Sequence, residues 1–228
     1  AAGGMAEVYE VEDPASSERF ALKLLVAVKQ ALPRFDLEYE AMTRLNHPGI
    51  VRVYHYGLHA GQPWLTMELL RGQPAQSYLK QSGRAGDPQR TAEVLRIAYH
   101  VAHALQYIHD RNLIHRDLKS ANVLVLPDGR VKLLDFGAAL IADSARRITQ
   151  EGEFIGTYSY CSPEQLAGTP IDSRSDLFSL GVLLFRLATG KRPFDAEHAV
   201  DLAGQHRSDI PRVSSVVEGL PEGLSTLI

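Results

Sequence analysis

Lysine and cysteine are scarce in this 228-residue chain: it has one cysteine, and six of its 24 basic residues are lysines. The lone Cys161 excludes an intrachain disulfide and any multi-cysteine zinc site, and it fits a reducing compartment. A surplus of one charge is also missing. The 24 Lys+Arg against 27 Asp+Glu leave a formal net charge of −3, which argues against nucleic acid or a membrane surface as a partner held by bulk charge. Long apolar runs are absent too: the longest helical candidate, Leu177 to Ala188, is interrupted by Ser179 and Arg186 and is too short to span a bilayer. No repeat, low-complexity tract or basic-then-apolar leader is present. What is there, 45% hydrophobic and 22% charged residues, is ordinary for a globular chain long enough for one large domain or two small lobes.

The first third reads as short strands with one helix. Val8 to Val11 and Phe20 to Leu25 are strand candidates separated by the polar Glu12 to Arg19. Arg34 to Leu45 has helical spacing and ends before Pro48. Val51 to Tyr56 and Trp64 to Glu68 are further strands, with Gly57 to Pro63 as the expected turn. After Gly72 the period becomes helical. Asp87-Pro88 makes a good cap and first position, and Val94, Ile97, Ala98, Val101, Ala104, Leu105 and Ile108 hold one face. A second helix, Arg174 to Thr189, is apolar nearly all round and closes at Gly190, so a buried pillar is expected. The pattern predicts an α+β molecule: a β-rich lobe over 1–70, a mainly helical lobe over 71–228, and a ligand cleft between them. The abrupt ends, at Ala1-Ala2-Gly3-Gly4 and inside the apolar Leu224 to Ile228, lead to the expectation of a piece of a longer protein, cut short at both ends.

The chemistry collects around one hairpin. Val123 to Leu126 and Val131 to Leu134 flank the turn Pro127-Asp128-Gly129-Arg130. Antiparallel pairing brings Asn122, before the first strand, close to Asp135, after the second. An amide oxygen and a carboxylate there suit Mg²⁺ that also holds substrate phosphates. Asp117 lies just upstream, in His115-Arg116-Asp117-Leu118-Lys119. One corner thus gathers two carboxylates, an amide, a lysine and an arginine. Lys23 is the only cation of the strand Phe20 to Leu25. In the next helix Glu38 shares a face with Ala41, Met42 and Leu45, whereas Glu40 faces Thr43 and Arg44 and hence solvent.

These residues resemble the signature of protein kinases. His115 to Asn122 is similar to the catalytic loop, Asp135-Phe136-Gly137 to the metal-binding motif, and Ser162-Pro163-Glu164 stands where the family has Ala-Pro-Glu. The resemblance implies a two-lobed fold and ATP as phosphoryl donor with Mg²⁺, for which Mn²⁺ can stand in. It implies that Asp117 orients the acceptor hydroxyl and takes its proton, that Lys119 steadies the transferred group, and that Asn122 and Asp135 hold the metal. Lys23 would contact the ATP phosphates with Glu38 as its partner. Met67, Glu68 and Leu70 resemble the hinge, Met67 at the back of the pocket and backbone groups of Glu68 and Leu70 at the adenine. Gly3, Val8 and Ala21 would complete the nucleotide site. The glycine-rich loop departs from the family pattern, with Ala1 and Ala6 in place of its outer glycines, so a β-carbon limits backbone approach there and lowers the expected nucleotide affinity.

Lys119 and the Gly156-Thr157 pair resemble the serine/threonine branch of bacterial type, and the resemblance implies protein substrates with Ser/Thr acceptors and self-phosphorylation in trans. The segment from Asp135 to Glu164 has little periodicity, as a regulatory loop would. Thr149, beside Arg146-Arg147-Ile148, is the first candidate phosphosite and Ser144 the second, with Arg116 placed to meet the phosphate and Glu151 supplying part of the charge permanently. Asp176 is expected to brace the catalytic-loop backbone, and Cys161 to be a small packing residue. Two alternatives are a pseudokinase acting as a nucleotide-binding scaffold and a small-molecule phosphotransferase of similar fold. A cytoplasmic setting is expected, with tethering through segments outside this stretch left open.

Overall fold

The computed structural model describes residues 2–3, 6–25, 39–135, 158–194 and 211–228. Its first part is a five-stranded antiparallel sheet in the spatial order β1-β2-β3-β5-β4. The strands are β1 (Ala2–Gly3), β2 (Ala6–Glu12), β3 (Arg19–Leu25), β4 (Val53–His59) and β5 (Gln62–Glu68). Along β3 burial alternates with the period-2 pleat, so Ala21, Lys23 and Leu25 share the covered face. The turn expected over Gly57 to Pro63 is much tighter. His59 pairs with Gln62, and Ala60 and Gly61 carry positive φ values of 50° and 78°, the geometry that suits the twist of a two-residue hairpin. Gly57 lies inside β4 for a packing reason: a β-carbon there would come 2.9 Å from the indole of its cross-strand partner Trp64. β4 also starts two residues later than the sequence suggests, because Val51 N–H bonds instead to Leu133 O at 2.9 Å.

Past the sheet the molecule is mainly helical: α1 (Ala75–Leu79), α2 (Pro88–His109), α3 (Pro163–Ala167) and α4 (Ser173–Thr189). All seven residues of the stripe read between Val94 and Ile108 are buried on α2, which packs against α4. Each of its buried Val, Leu and Ile side chains contributes roughly 1.5–3 kcal/mol. Asp87 does stand at the N-cap of α2, but its carboxylate turns back to accept from Arg84 N at 2.7 Å rather than capping the helix. α4 begins at Asp172, whose side chain accepts from Arg174 N at 2.8 Å, and ends at Gly190 in the left-handed region. The pillar is not wholly covered, since Leu177 is exposed. A buried Arg90 donates to Leu79 O, Gly83 O and Leu187 O at 3.0–3.1 Å, tying three chain segments that would otherwise leave carbonyls unsatisfied.

Between the two parts runs a three-stranded sheet, β6 (Gln73–Pro74), β7 (Val123–Val125) and β8 (Val131–Leu133). Gly72 lets the chain cross β7 closely, for a β-carbon would come 2.9 Å from Val125 O. The segment 39–43 is helical; it buries Tyr39 and Met42 and leaves Glu40 exposed in an i,i+4 pair with Arg44.

Candidate active site

The loop from His115 to Asn122 is held from three sides. Asp176, fully buried in the first turn of α4, accepts from His115 N and Arg116 N at 2.8 Å each and meets His109 Nε2 at 2.7 Å. The bracing role expected for it is what the structure contains. Gln165 of α3 donates its amide to Arg116 O at 2.9 Å, and a reciprocal Ser162–Gln165 capping box fixes that helix start. His115 spans the gap to the hairpin: its Nε2 lies 2.8 Å from Leu134 O, which can only accept, so the proton is on Nε2. Nδ1 is then free to accept from Asp117 N at 3.3 Å. These clamps enclose Arg116, a non-glycine residue at φ 66°, a strained backbone that persists because its surroundings over-determine it.

That turn aims Asp117, Lys119 and Asn122 at one another. Lys119 Nζ lies 3.0 and 2.8 Å from the two carboxylate oxygens of Asp117. Asn122 Nδ2 donates to Asp117 O at 2.8 Å and to its Oδ2 at 2.9 Å, which leaves Asn122 Oδ1 as an acceptor. Leu134 N–H bonds to Asn122 O at 2.7 Å, so the hairpin register puts Asp135 at the same end, as the sequence predicts. Asp135, at φ 56°, is like Arg116 a left-handed non-glycine residue, and its Oδ1 accepts from Lys23 Nζ. This ion pair joins β3 of the upper sheet to the hairpin of the helical part.

The sheet register brings several of the residues expected at the nucleotide to the same face. Val8 pairs with Lys23, Ala21 with Met67, and Lys23 with Leu65. Cross-strand partners point to one side of a sheet, so Val8, Ala21, Lys23 and Met67 line a single surface. Gly3 lies in β1 opposite Ala6. Leu70 follows β5 and is half-buried. Glu68 holds a partner that sequence reasoning missed. The buried Lys132 of β8 donates to Glu68 Oε2 at 2.8 Å and to Ile50 O at 3.3 Å, while Glu68 N–H is taken by Arg52 O at 2.8 Å. Glu38, Phe136, Gly137, Ser144, Thr149, Glu151, Gly156 and Thr157 lie outside the described residues. Burial pushes the Cys161 thiol up to about 12, with the Asp117 charge adding to it, so this cysteine carries no thiolate at neutral pH and fits the packing role expected of it.

Among the described residues no group of three or more His, Cys, Asp or Glu forms a metal cage. The donor set fits a hard cation that keeps most of its ligands as water and phosphate oxygens: a free Asn122 oxygen, the second oxygen of Asp135, and lysines on either side. A carboxylate held against a lysine, two oxygen donors at a hairpin end and a strand lysine facing them are the groups that phosphoryl-transfer chemistry calls for.

The comparisons agree with that class. Residues 2–222 match the protein kinase domain family. The chain is 38% identical over 233 residues to the serine/threonine-protein kinase PknL of Mycobacterium bovis, covering 100% of this chain and 57% of that protein. It is 39% identical over 225 residues to a probable serine/threonine-protein kinase of Streptomyces coelicolor, covering 95% of this chain and 33% of the relative. A crystal structure of the Mycobacterium tuberculosis PknI kinase domain superposes with a TM-score of 0.76 at 32% identity, over 99% of this chain and 82% of that one. The chain belongs to the protein kinase family, within its bacterial serine/threonine type. ATP and a divalent cation are the general requirements of that family. The chain spans between a third and three-fifths of the length of these two relatives. No described helix is long and apolar enough to cross a membrane.

Proposed function

We propose that the protein containing this domain transfers the ATP γ-phosphoryl group to Ser/Thr hydroxyls of protein substrates. The observation that carries the reading is the closed set Asp117–Lys119–Asn122, linked across the two parts of the molecule by the Lys23–Asp135 pair. Asp117 orients the acceptor hydroxyl and takes its proton as oxygen attacks the γ-phosphorus, and the bond to the β–γ bridging oxygen breaks with its electron pair going to ADP. Lys119 neutralises charge that builds on the moving group. Asn122 Oδ1 and Asp135 hold Mg²⁺, which when bound offsets the negative charge of the β- and γ-phosphates. Lys23 exchanges part of its contact with Asp135 for the phosphates, and Glu38 steadies it. Adenine meets Glu68 O and Leu70 backbone, against a wall of Val8, Ala21 and Met67, with Gly3 over the phosphates. We take the lobe boundary between Leu70 and Arg71.

Control is proposed to act through phosphorylation of Thr149 in trans. Thr149→Ala with unchanged activity, and no phosphate by mass spectrometry, would remove that part alone.

The test uses the full-length protein, γ-labelled ATP, a generic protein substrate and an Asp135→Asn control. Divalent-dependent labelling of protein, lost in the control, supports the reading. Labelling of small molecules only favours a small-molecule phosphotransferase, and no transfer favours a nucleotide-binding scaffold.

A further inference from the structure

Arg186 interrupts the apolar pattern of α4, and it reaches through Tyr160 toward the loop that carries Asp117. Its Nη1 donates to the Tyr160 hydroxyl at 2.9 Å, and its guanidinium carbon lies 5.8 Å from the centre of that ring. Tyr160, buried, donates its own hydroxyl to Ser120 Oγ at 3.3 Å. Ser120 is the neighbour of Lys119. A chain of three polar groups thus runs from α4 to the loop that carries Asp117.

Among the described residues no carboxylate lies within ion-pair distance of Arg186, and the one side-chain hydrogen bond it makes there is to a neutral hydroxyl. The carboxylates on the same segments hold other partners: Asp117 has Lys119 and Asn122, Asp176 has His109 and two backbone amides, and Glu164 has Ser175. The loop beside it, Ser120-Ala121, offers no acid that would draw a basic residue. Arg186 is half-buried, and none of its remaining nitrogens is a buried orphan, so they open to solvent. A planar guanidinium with spare donors, weakly hydrated and backed by an aromatic ring, matches a carboxylate or phosphate in two-point geometry.

We propose that Arg186, presented by Tyr160, forms a subsite for an anionic side chain of the protein substrate close to the acceptor hydroxyl. The subsite rests on the kinase reading above and adds a preference to it: acidic or already phosphorylated sequences over basic ones.

The test compares full-length wild type with Arg186→Glu and Arg186→Gln. The substrates are peptides identical except for one Glu, phosphoserine, Ala or Arg walked along the positions flanking a Ser/Thr acceptor. The readout is the ratio of kcat/KM for the Glu and Arg peptides at each position, which cancels any general loss of activity; melting temperature and nucleotide affinity report on folding. At one position wild type favours Glu by about tenfold or more, the scale of a charge-assisted hydrogen bond. Gln flattens that ratio and Glu inverts it. Phosphoserine outperforming Glu identifies phosphate as the natural anion, and parity identifies carboxylate. A wild-type ratio near one at every position, or the same ratio in all three proteins with only the melting temperature lowered, would assign Arg186 to bracing Tyr160 and overturn the subsite while leaving the kinase reading intact. No transfer to any peptide would overturn both.

Discussion

Lys23 and Lys132 are both lone cations in apolar strands, and both end in ion pairs with little exposure of the lysine. The same signal marks the two, yet only Lys23 is legible as functional from the sequence, because its partner residues recur in a known motif order. Lys132 becomes informative only when β8 is seen to pass under Glu68, a contact across 64 residues of sequence. Breaking a buried pair leaves one charge uncompensated. Lys132→Met is expected to lower stability by about 2 kcal/mol, less than for a fully enclosed pair because Glu68 is partly exposed. Because Glu68 flanks the proposed adenine site, the KM for ATP is expected to rise more than kcat falls; denaturant unfolding and steady-state kinetics check the two effects. Cys161 gives a second prediction. With its thiol pushed up to about 12, alkylation by iodoacetamide at neutral pH should be about a thousandfold slower than for an ordinary exposed cysteine, by mass spectrometry of the folded protein.

Elements are where sequence reasoning succeeds and where its errors have physical causes. The stripe on α2 and the capped ends of α4 follow from period and cap chemistry, which are local. In the hairpin from Val53 to Glu68 the sequence makes Gly57 look like turn punctuation, whereas it is glycine to admit the Trp64 ring. The cap of α2 was half right: Asp87 sits in place, but a backbone amide three residues earlier captures its carboxylate. Asp176 shows how one helix start positions a distant loop. Asp176→Asn keeps the shape but offers one oxygen for three donors, so a loss of roughly 2–3 kcal/mol is expected by thermal unfolding, with kcat falling as the loop relaxes. Opposite the site, His47 beside Pro48 reaches His103 of α2 at 3.0 Å, fastening the upper part to the lower. Burial, then the neighbouring His103, the cations Lys132 and Arg111, and His100 hold His47 below the usual histidine value. The folded chain therefore resists a proton that the unfolded chain accepts, and stability should fall as pH drops below about 6.5. His47→Gln should flatten that fall in melting temperature between pH 7 and 5.5.

At the scale of the molecule, the described residues of the two parts meet near the site through the Lys23–Asp135 and Lys132–Glu68 pairs, the Lys132 bond to Ile50 O and the backbone bonds of Leu133 with Gly49 and Val51. The α+β architecture was legible because strand and helix periods segregate along the chain. The site was legible through its motif order, which also pointed to the Asp176 brace, while the Gln165 clamp on Arg116 was not, since it joins residues 49 apart in sequence. The central claim is that Asp117 acts on the chemical step rather than on nucleotide binding. Its most direct test is single-turnover transfer from γ-labelled ATP by the full-length protein, wild type against Asp117→Asn, at saturating nucleotide with its dissociation constant measured in parallel. The account predicts that transfer slows by about a thousandfold or more while nucleotide affinity stays within a few-fold. An Asp117→Asn protein that transfers at a rate near wild type would contradict it.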